Sequence, residues 1–481
     1  MAAPAVRQDH IKVSKQLPLE RAAAYGQTFR CQPRPLHPTA TTQQLRDQFC
    51  KPLPEMPTPG EAVIDQLIAA AEPGLVGNTD PNFYAWVMGG SDPVGVAADW
   101  LTSIWGQNAA IFQTSPAAAI AEEAVSEWLL DLLDLPRSCS VGFVTGATMA
   151  GFVALAAART TVLARQGHDF EQNGLQSAPL IQIYISDDSH ASNLAALRHL
   201  GFGEANLVRI PSDADGLMST EDLKMAMVQT VGPKIIIATA GHINSGGFEN
   251  FELIADLAQE HNAWLHVDGA FGLWARVLPE MAHLTRGLER ADSWSVDGHK
   301  WLQIPYDSGF AIVKDAQAHK RAMDISAGYL NQADEDGRNP TEFNPELSRR
   351  ARGFAAWAIM RSLGKSGIRD LVAEHCESAR GLAEQIDAIP GVYVIGSVTL
   401  NQIILAVSHE FADPCAMTKS LAGILNSDHG VFVRTAEWKG RTVLRFSLIT
   451  KGTGASQTQF LSKAIRSSLK QVLENPVFAK N

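Results

Sequence analysis

Ser293-Trp-Ser-Val-Asp-Gly-His-Lys300-Trp301 is the stretch on which the reading of this chain turns. An apolar run ends there in a small polar turn that holds one lysine beside a histidine. Just upstream, Trp264-Leu-His-Val-Asp268-Gly-Ala270 is a second short hydrophobic run, and it closes on an aspartate. A lysine at one strand end and a carboxylate at another suit pyridoxal 5'-phosphate (PLP). The amine forms a Schiff base with the aldehyde, and the aspartate pairs with the pyridinium nitrogen so that the ring draws in electrons. The pair implies an enzyme acting on amino acids or amines.

Working outward, β-rich runs fall at 141–144, 180–185, 207–210, 235–239, 264–267 and 293–296, most of them separated by helical patterns at 150–165, 219–230 and 251–261. Strands alternating with helices predict a mostly parallel sheet covered on both faces. The run 309–313 follows Lys300 too closely for a helical crossover and is expected to pair antiparallel. Helical patterning also occupies 94–105 and 117–133 and begins near Glu61. After Pro345 it covers 346–363 and 368–389. Strands are expected at 392–395, 401–407, 430–434 and 443–448, and a last helix at 457–473. The fold class is therefore α/β, a large domain with a mostly parallel sheet plus a small C-terminal α+β domain. The expected division is 1–80 as an N-terminal arm and helix at a subunit interface, 81–350 as the cofactor domain, and 351–481 as the small domain. Residues 1–58, rich in proline, glutamine and basic residues, read as a wrapping arm or a loosely ordered tail, and composition favours the tail.

Ligands of open parallel sheets collect at the carboxyl ends of the strands, and four segments converge there. Val144-Thr-Gly146-Ala147-Thr148 joins a strand to a helix, where backbone N–H groups can cradle a phosphate; such residues also make ordinary turns and caps. His190, in Ser186-Asp-Asp-Ser189-His190, can lie over an aromatic ring and reach a bound carboxylate, or simply cap a helix. Asp268 closes a strand expected to be buried, where a carboxylate needs a partner; the ordinary alternative is a surface aspartate at a turn. Lys300 alone would read as a solvated lysine. The order of all four, each just after a strand, selects the cofactor reading.

Composition frames this. The chain has 481 residues, 46% of them apolar and 19% charged, as in an ordinary globular protein. A net charge of −11 argues against nucleic acid or an anionic membrane as partner. Five cysteines, widely spaced and without a CxxC pair, suit a reducing compartment and give no metal signature. Residues 1–15 lack the apolar core of a signal peptide, and no run is expected to span a membrane. These points place the protein in the cytoplasm.

The residues from Pro81 onward resemble the PLP-dependent group II amino acid decarboxylases, the family of the aromatic amino acid and glutamate decarboxylases. Asp80-Pro-Asn-Phe-Tyr-Ala-Trp-Val-Met-Gly-Gly and Gln107-Asn-Ala-Ala-Ile-Phe-Gln-Thr-Ser-Pro-Ala look like its N-terminal blocks. His266-Val-Asp268-Gly-Ala270-Phe and Asp297-Gly-His299-Lys300-Trp301 match its two most specific motifs. The resemblance implies the fold type I PLP-transferase architecture and a homodimer. It implies Lys300 as the Schiff-base lysine, His190 stacked on the ring, Ala270 on the other ring face and Asp268 on the pyridinium. Gly146, Ala147 and Thr148 would contact the phosphate, with His299 nearby. Arg445 would grip a substrate carboxylate, a task for which its forked guanidinium is suited; an arginine on a solvated strand face is the alternative. Phe83, Tyr84 and Phe112 are candidate pocket walls.

Three departures from the family stand out. Met149 replaces a frequent acidic residue. Gly241-His242-Ile-Asn244 replaces a threonine-rich turn, which places His242 beside the cofactor. The loop 331–344 holds no tyrosine, the residue many members use to protonate the substrate carbon after carbon dioxide leaves. The implied activity is decarboxylation of an L-amino acid to its amine. The missing tyrosine keeps open oxidative decarboxylation-deamination to an aldehyde, transamination or aldol-type cleavage, and loss of catalysis would leave a binding protein on the same frame.

Overall fold

The computed structural model describes residues 5–32, 34–325, 337–475 and 478. Five helices precede the first strand: α1 (Ala5–Cys31), α2 (Thr42–Phe49), α3 (Gly60–Ala71), α4 (Pro93–Trp105) and α5 (Pro116–Leu132). Their ends follow local chemistry. Thr41 and Gln44 close a reciprocal cap on α2. Asp92 accepts from Val94 N–H at 2.9 Å ahead of Pro93, and Gly106, at φ +60°, ends α4 in the left-handed conformation. The long helix α1, which carries Pro18 internally and packs on α3, corrects the expectation of a loose tail.

The central third forms seven short strands: β1 (Ser140–Val144), β2 (Gln182–Ser186), β3 (Leu207–Ile210), β4 (Lys234–Thr239), β5 (Trp264–Asp268), β6 (Ser293–Asp297) and β7 (Gly309–Val313). They lie in the order β1-β7-β6-β5-β4-β2-β3. Strands β6, β5, β4, β2 and β3 run parallel, while β7 is antiparallel to both β6 and β1, as the short connection requires. One reversed strand thus leaves the carboxyl ends of β1, β2, β4, β5 and β6 on one edge. The connecting helices are α6 (Ala147–Ala164), α7 (Phe170–Asn173), α8 (Ala191–His199), α9 (Thr220–Gln229), α10 (Phe251–Glu260) and α11 (Ala316–Met323). Strands β1, β4, β5, β6 and β7 are buried along their whole length, the reason their sequences read as continuous rather than alternating apolar runs.

Helix α6, 18 residues with a mean hydropathy of 1.5, is long and apolar enough to cross a membrane, contrary to the expectation that no run would be. It is 61% buried and packs on β5, β6, β7 and α8, so its apolarity is that of a core helix.

The C-terminal part holds α12 (Gly353–Asp387), broken at Gly364 where φ is +62°, then β8 (Val392–Val394), β9 (Gln402–Val407), α13 (Pro414–Asp428), β10 (Arg434–Trp438), β11 (Arg441–Ser447) and α14 (Ala455–Glu474). The four strands form an antiparallel sheet, β10-β11-β9-β8. Two expectations fail here. The strand expected at 430–434 begins only at Arg434, because Phe432 instead exchanges backbone bonds with Asn82 and Tyr84. The helix expected from 346 begins at Gly353. Residues ahead of it carry Arg349, whose guanidinium meets both oxygens of buried Glu122 at 2.6 and 2.7 Å, and Arg350, which reaches Asp99.

Glu249, in the loop after β4, is a buried acid whose two oxygens lack a hydrogen-bond partner. Burial pushes its pKa up from 4.5 to about 8; Asp213 adds to the rise, and backbone groups of Met218 and Thr239 oppose it. The folded state therefore holds a proton that the unfolded state releases above about pH 4.5. The stability this supplies is complete below that pH and is lost as pH rises towards 8. Melting curves from pH 5 to 9 should show Glu249→Gln gaining on the wild type as pH rises, by more than about 1.4 kcal/mol at pH 9. Parallel curves would show that Glu249 is already ionised in the folded protein.

Candidate active site

The shared carboxyl edge of the sheet opens on a cavity of about 350 Å3, within the usual size range of a small-molecule site. Each segment singled out in the sequence contributes to it. Gly146, Ala147 and Thr148 arrive from β1 at the N-terminus of α6, where the N-cap Gly146 has no side chain and Asp297 takes the first N–H, that of Ala147. A Cβ on Gly146 would lie 3.0 Å from His299 Cε1 and 3.3 Å from Asp297 Oδ1, a tight fit that would push these two side chains aside by a few tenths of an ångström. His190 comes from β2 and His242 from the turn after β4. Asp268 ends β5 with Ala270 beyond it, and His299 and Lys300 follow β6.

Lys300 Nζ lies 3.1 Å from Asp297 Oδ2. Asp297, 3% exposed, also accepts from Ala147 N–H at 2.6 Å and sits 3.4 Å from His299 Nε2. The sequence reading missed this residue although it ends β6 as Asp268 ends β5; a second strand-closing carboxylate was the available signal. Also missed were Asn193, whose Nδ2 donates to Asp268 Oδ2 at 2.9 Å, and Ser295, whose Oγ lies 3.4 Å from Asp268 Oδ1. Nothing in a local motif marks either one, since both act across the fold.

His190 caps α8. Its Nδ1 accepts from Ser192 N–H at 3.2 Å and lies 2.6 Å from Ser192 Oγ, which leaves the N–H of the neutral ring at Nε2. His190 is exposed in the open cavity, yet enough protein surrounds it to desolvate the charged form. This desolvation lowers its pKa, Asp268 pulls it back up, and Lys300 and Arg445 add to the lowering. His299 is likewise lowered, first by burial, with Asp297 opposing. His242 lines the cavity, but both of its ring nitrogens are engaged: Nε2 donates to Asp188 O at 3.2 Å and Nδ1 accepts from Asn244 N–H at 3.3 Å. It therefore presents ring carbons rather than a free nitrogen.

The family profile described as the pyridoxal-dependent decarboxylase conserved domain matches residues 42–406. The chain belongs to the pyridoxal-dependent decarboxylase family. An aromatic-L-amino-acid decarboxylase of Bacillus atrophaeus is 27% identical over 91% of this chain and 92% of its own length. An L-2,4-diaminobutyrate decarboxylase of Rhizobium meliloti is 30% identical over 74% and 71%. The solved structure of Oryza sativa TDC with PLP and tryptamine superposes with a TM-score of 0.87, covering 98% of this chain and 99% of that one at 23% identity, and establishes the fold. This decarboxylase is thus a PLP-dependent carboxy-lyase of amino acids with the fold type I architecture, and that reading stands over the oxidative, transaminating, aldol-cleaving and non-catalytic alternatives.

The residues present fit the cofactor. The start of α6 offers N–H donors for a phosphate beyond Ala147, whose own N–H is already taken by Asp297; buried Asp268 faces the cavity as an acceptor, and Lys300 would supply the amine. The substrate residues fare less evenly in this decarboxylase. Arg445, on β11, does not itself line the cavity; it lies behind the turn after β4, with Nη1 3.4 Å from O of the lining residue Ile243 and 3.3 Å from Asn244 Oδ1. Two aromatic candidates are corrected. Tyr84 is 0% exposed and packs edge-on to Phe446, while Phe83 is 2% exposed and stacks on Phe432 at 4.6 Å. Both rings are already enclosed by their own chain and leave no face for a substrate. Phe112 is half-buried against Gly337, away from this chain's cavity. Of the loop expected to lack a tyrosine, residues 331–336 lie outside the described residues.

Proposed function

We propose that this decarboxylase acts on an L-amino acid with an aromatic or apolar side chain, gripping its α-carboxylate with Arg445 and holding PLP through Lys300, Asp268, His190 and the turn at 146–148. The observation that carries the reading is Arg445 itself. Among the described residues no carboxylate pairs with it, and burial lowers its pKa to about 10. A guanidinium taken from water without an acid partner is costly, and a substrate carboxylate would supply that partner. Met149, Ile243 and Phe271 on the cavity wall support an uncharged side chain, in line with the aromatic substrates named for several relatives.

Bound PLP supplies the electron sink for the pair left when carbon dioxide departs. The chain's own groups do the rest. Asp268 would pair with the ring nitrogen, and His190 and Ala270 would flank the ring. With no tyrosine in the sequence 331–344, the proton returned to the substrate carbon would come from the ammonium of Lys300, held 3.1 Å from Asp297, or from His190 in its imidazolium form, which its lowered pKa makes the minor one at neutral pH. Incubation of PLP-loaded protein with a mixed amino-acid pool, read by mass spectrometry with carbon dioxide and oxygen monitored, tests this. Aromatic or apolar amines with equimolar carbon dioxide and no oxygen uptake are expected. Aldehydes or keto acids would overturn the reaction, and a product from diaminobutyrate alone would overturn the side-chain class.

The protein is read as a cytoplasmic homodimer. Its five unpaired cysteines support a reducing compartment. Exposed Trp100, Leu101, Ile104 and Trp105 form an apolar face of α4 that a second copy would cover. Sedimentation should give a dimer that Ile104→Glu with Leu101→Glu dissociates; a wild-type monomer would refute it.

A further inference from the structure

We propose that Asn193 is the positioning residue of the cofactor site, reserving one oxygen of Asp268 for the ring N–H of PLP. The inference rests on the assignment of Asp268 to that ring nitrogen. A carboxylate has about four acceptor positions. Ala270 N–H, at 3.2 Å, and Ser295 Oγ, at 3.4 Å, occupy Oδ1 of Asp268. Asn193 Nδ2 takes one position on Oδ2 at 2.9 Å. The position left over is on Oδ2, beside Asn193.

Both side chains are buried, Asn193 at 3% and Asp268 at 6% exposure, so the bond is not shared with bulk water. The second hydrogen of Nδ2 goes to Ser189 Oγ at 3.1 Å, which saturates the amide and fixes its orientation, since the carboxylate only accepts. Asn193 also sits in the first turn of α8, and its backbone N–H bonds His190 O at 3.0 Å. One residue therefore ties the carboxylate at the ring nitrogen to the turn carrying the histidine beside the ring.

The residue type matters. A lysine or arginine at this place would orient Asp268 but neutralise it, removing the charge that a pyridinium needs. A carboxamide gives a directional donor and leaves the charge intact. Its loss would leave a buried carboxylate oxygen short of a donor, which is costly for a charged group.

The test is titration of PLP into apo protein, followed by absorbance and fluorescence, for wild type, Asn193→Leu, Asn193→Asp and Asp268→Asn. Asn193→Leu keeps the bulk and loses the donor; its Kd should rise roughly ten- to a hundredfold at pH 7.5. Asn193→Asp is nearly isosteric, which guards against a folding defect. Ionised, it repels Asp268; protonated, it donates as the amide does. Its Kd relative to wild type should therefore fall as pH is lowered from 8 to 5.5, a response that simple packing would not give. A wild-type Kd for Asn193→Leu with a pH-independent ratio for Asn193→Asp would overturn the proposal while leaving Asp268 in place. A wild-type Kd for Asp268→Asn would instead overturn the Asp268 assignment, and the proposal with it.

Discussion

Lys300→Ala is expected to lose turnover by at least roughly a thousandfold, together with the visible absorbance that a lysine-linked cofactor gives the protein. In the role proposed for it the amine would serve three tasks: anchoring the cofactor, yielding to substrate and returning to release product. Proton transfer by a placed side chain is by itself worth about 10^2 to 10^4 in rate, and loss of the covalent anchor adds to that. The fold should survive, since Asp297 keeps Ala147 N–H at 2.6 Å and His299 at 3.4 Å when Lys300 Nζ is removed. Absorbance spectra and steady-state rates check the prediction on one preparation, with a melting curve to confirm folding. An unchanged visible spectrum would remove Lys300 from the role that its motif and its cavity assign to it.

Most of the site was legible because the chemistry coincides with strand ends. Gly146, His190, Asp268 and Lys300 follow runs whose apolar content announces buried parallel strands, and a parallel sheet brings such ends to one edge whatever its strand order. The reversal of β7 was legible for a different reason, the shortness of its connection. What the sequence hid lies in long-range pairing. Residues 346–352 carry a helical pattern, yet Arg349 and Arg350 are spent on Glu122 and Asp99, more than 200 residues away. Strand β10 hid because it is an edge strand: Arg434, Thr435 and Glu437 are exposed and read as loop, while the apolar Val431-Phe-Val433 before it bonds to the segment around Tyr84 instead. Phe83 and Tyr84 misled for the same reason. Aromatic composition suggested a pocket wall, and only their contacts with Phe432 and Phe446 show that their faces are taken. Asn193 lies only three residues beyond His190, yet its meaning appears only when α8 is docked against the end of β5.

Arg445→Met and Arg445→Lys separate grip from packing. Methionine keeps much of the length and volume and removes the charge, so kcat/KM should fall by roughly 100- to 1000-fold, mostly through KM, as truncation of one side of a buried charge pair does. Lysine restores a point charge but not the forked geometry, and should recover only part of the loss. The product amine lacks the carboxylate that Arg445 is proposed to hold, so its Kd should be the same for wild type and both variants. Equal weakening of substrate and product would instead show that Arg445 merely shapes the cavity. Stability should move the other way from activity. In the free protein the guanidinium is partly buried beside neutral acceptors at 3.3 and 3.4 Å, with no carboxylate partner among the described residues, so its desolvation is poorly offset until substrate binds. Arg445→Met should therefore melt no lower than the wild type, and substrate should raise the melting temperature of the wild type alone. A charge kept at a cost to the empty fold and matched only by the ligand is what a binding residue requires.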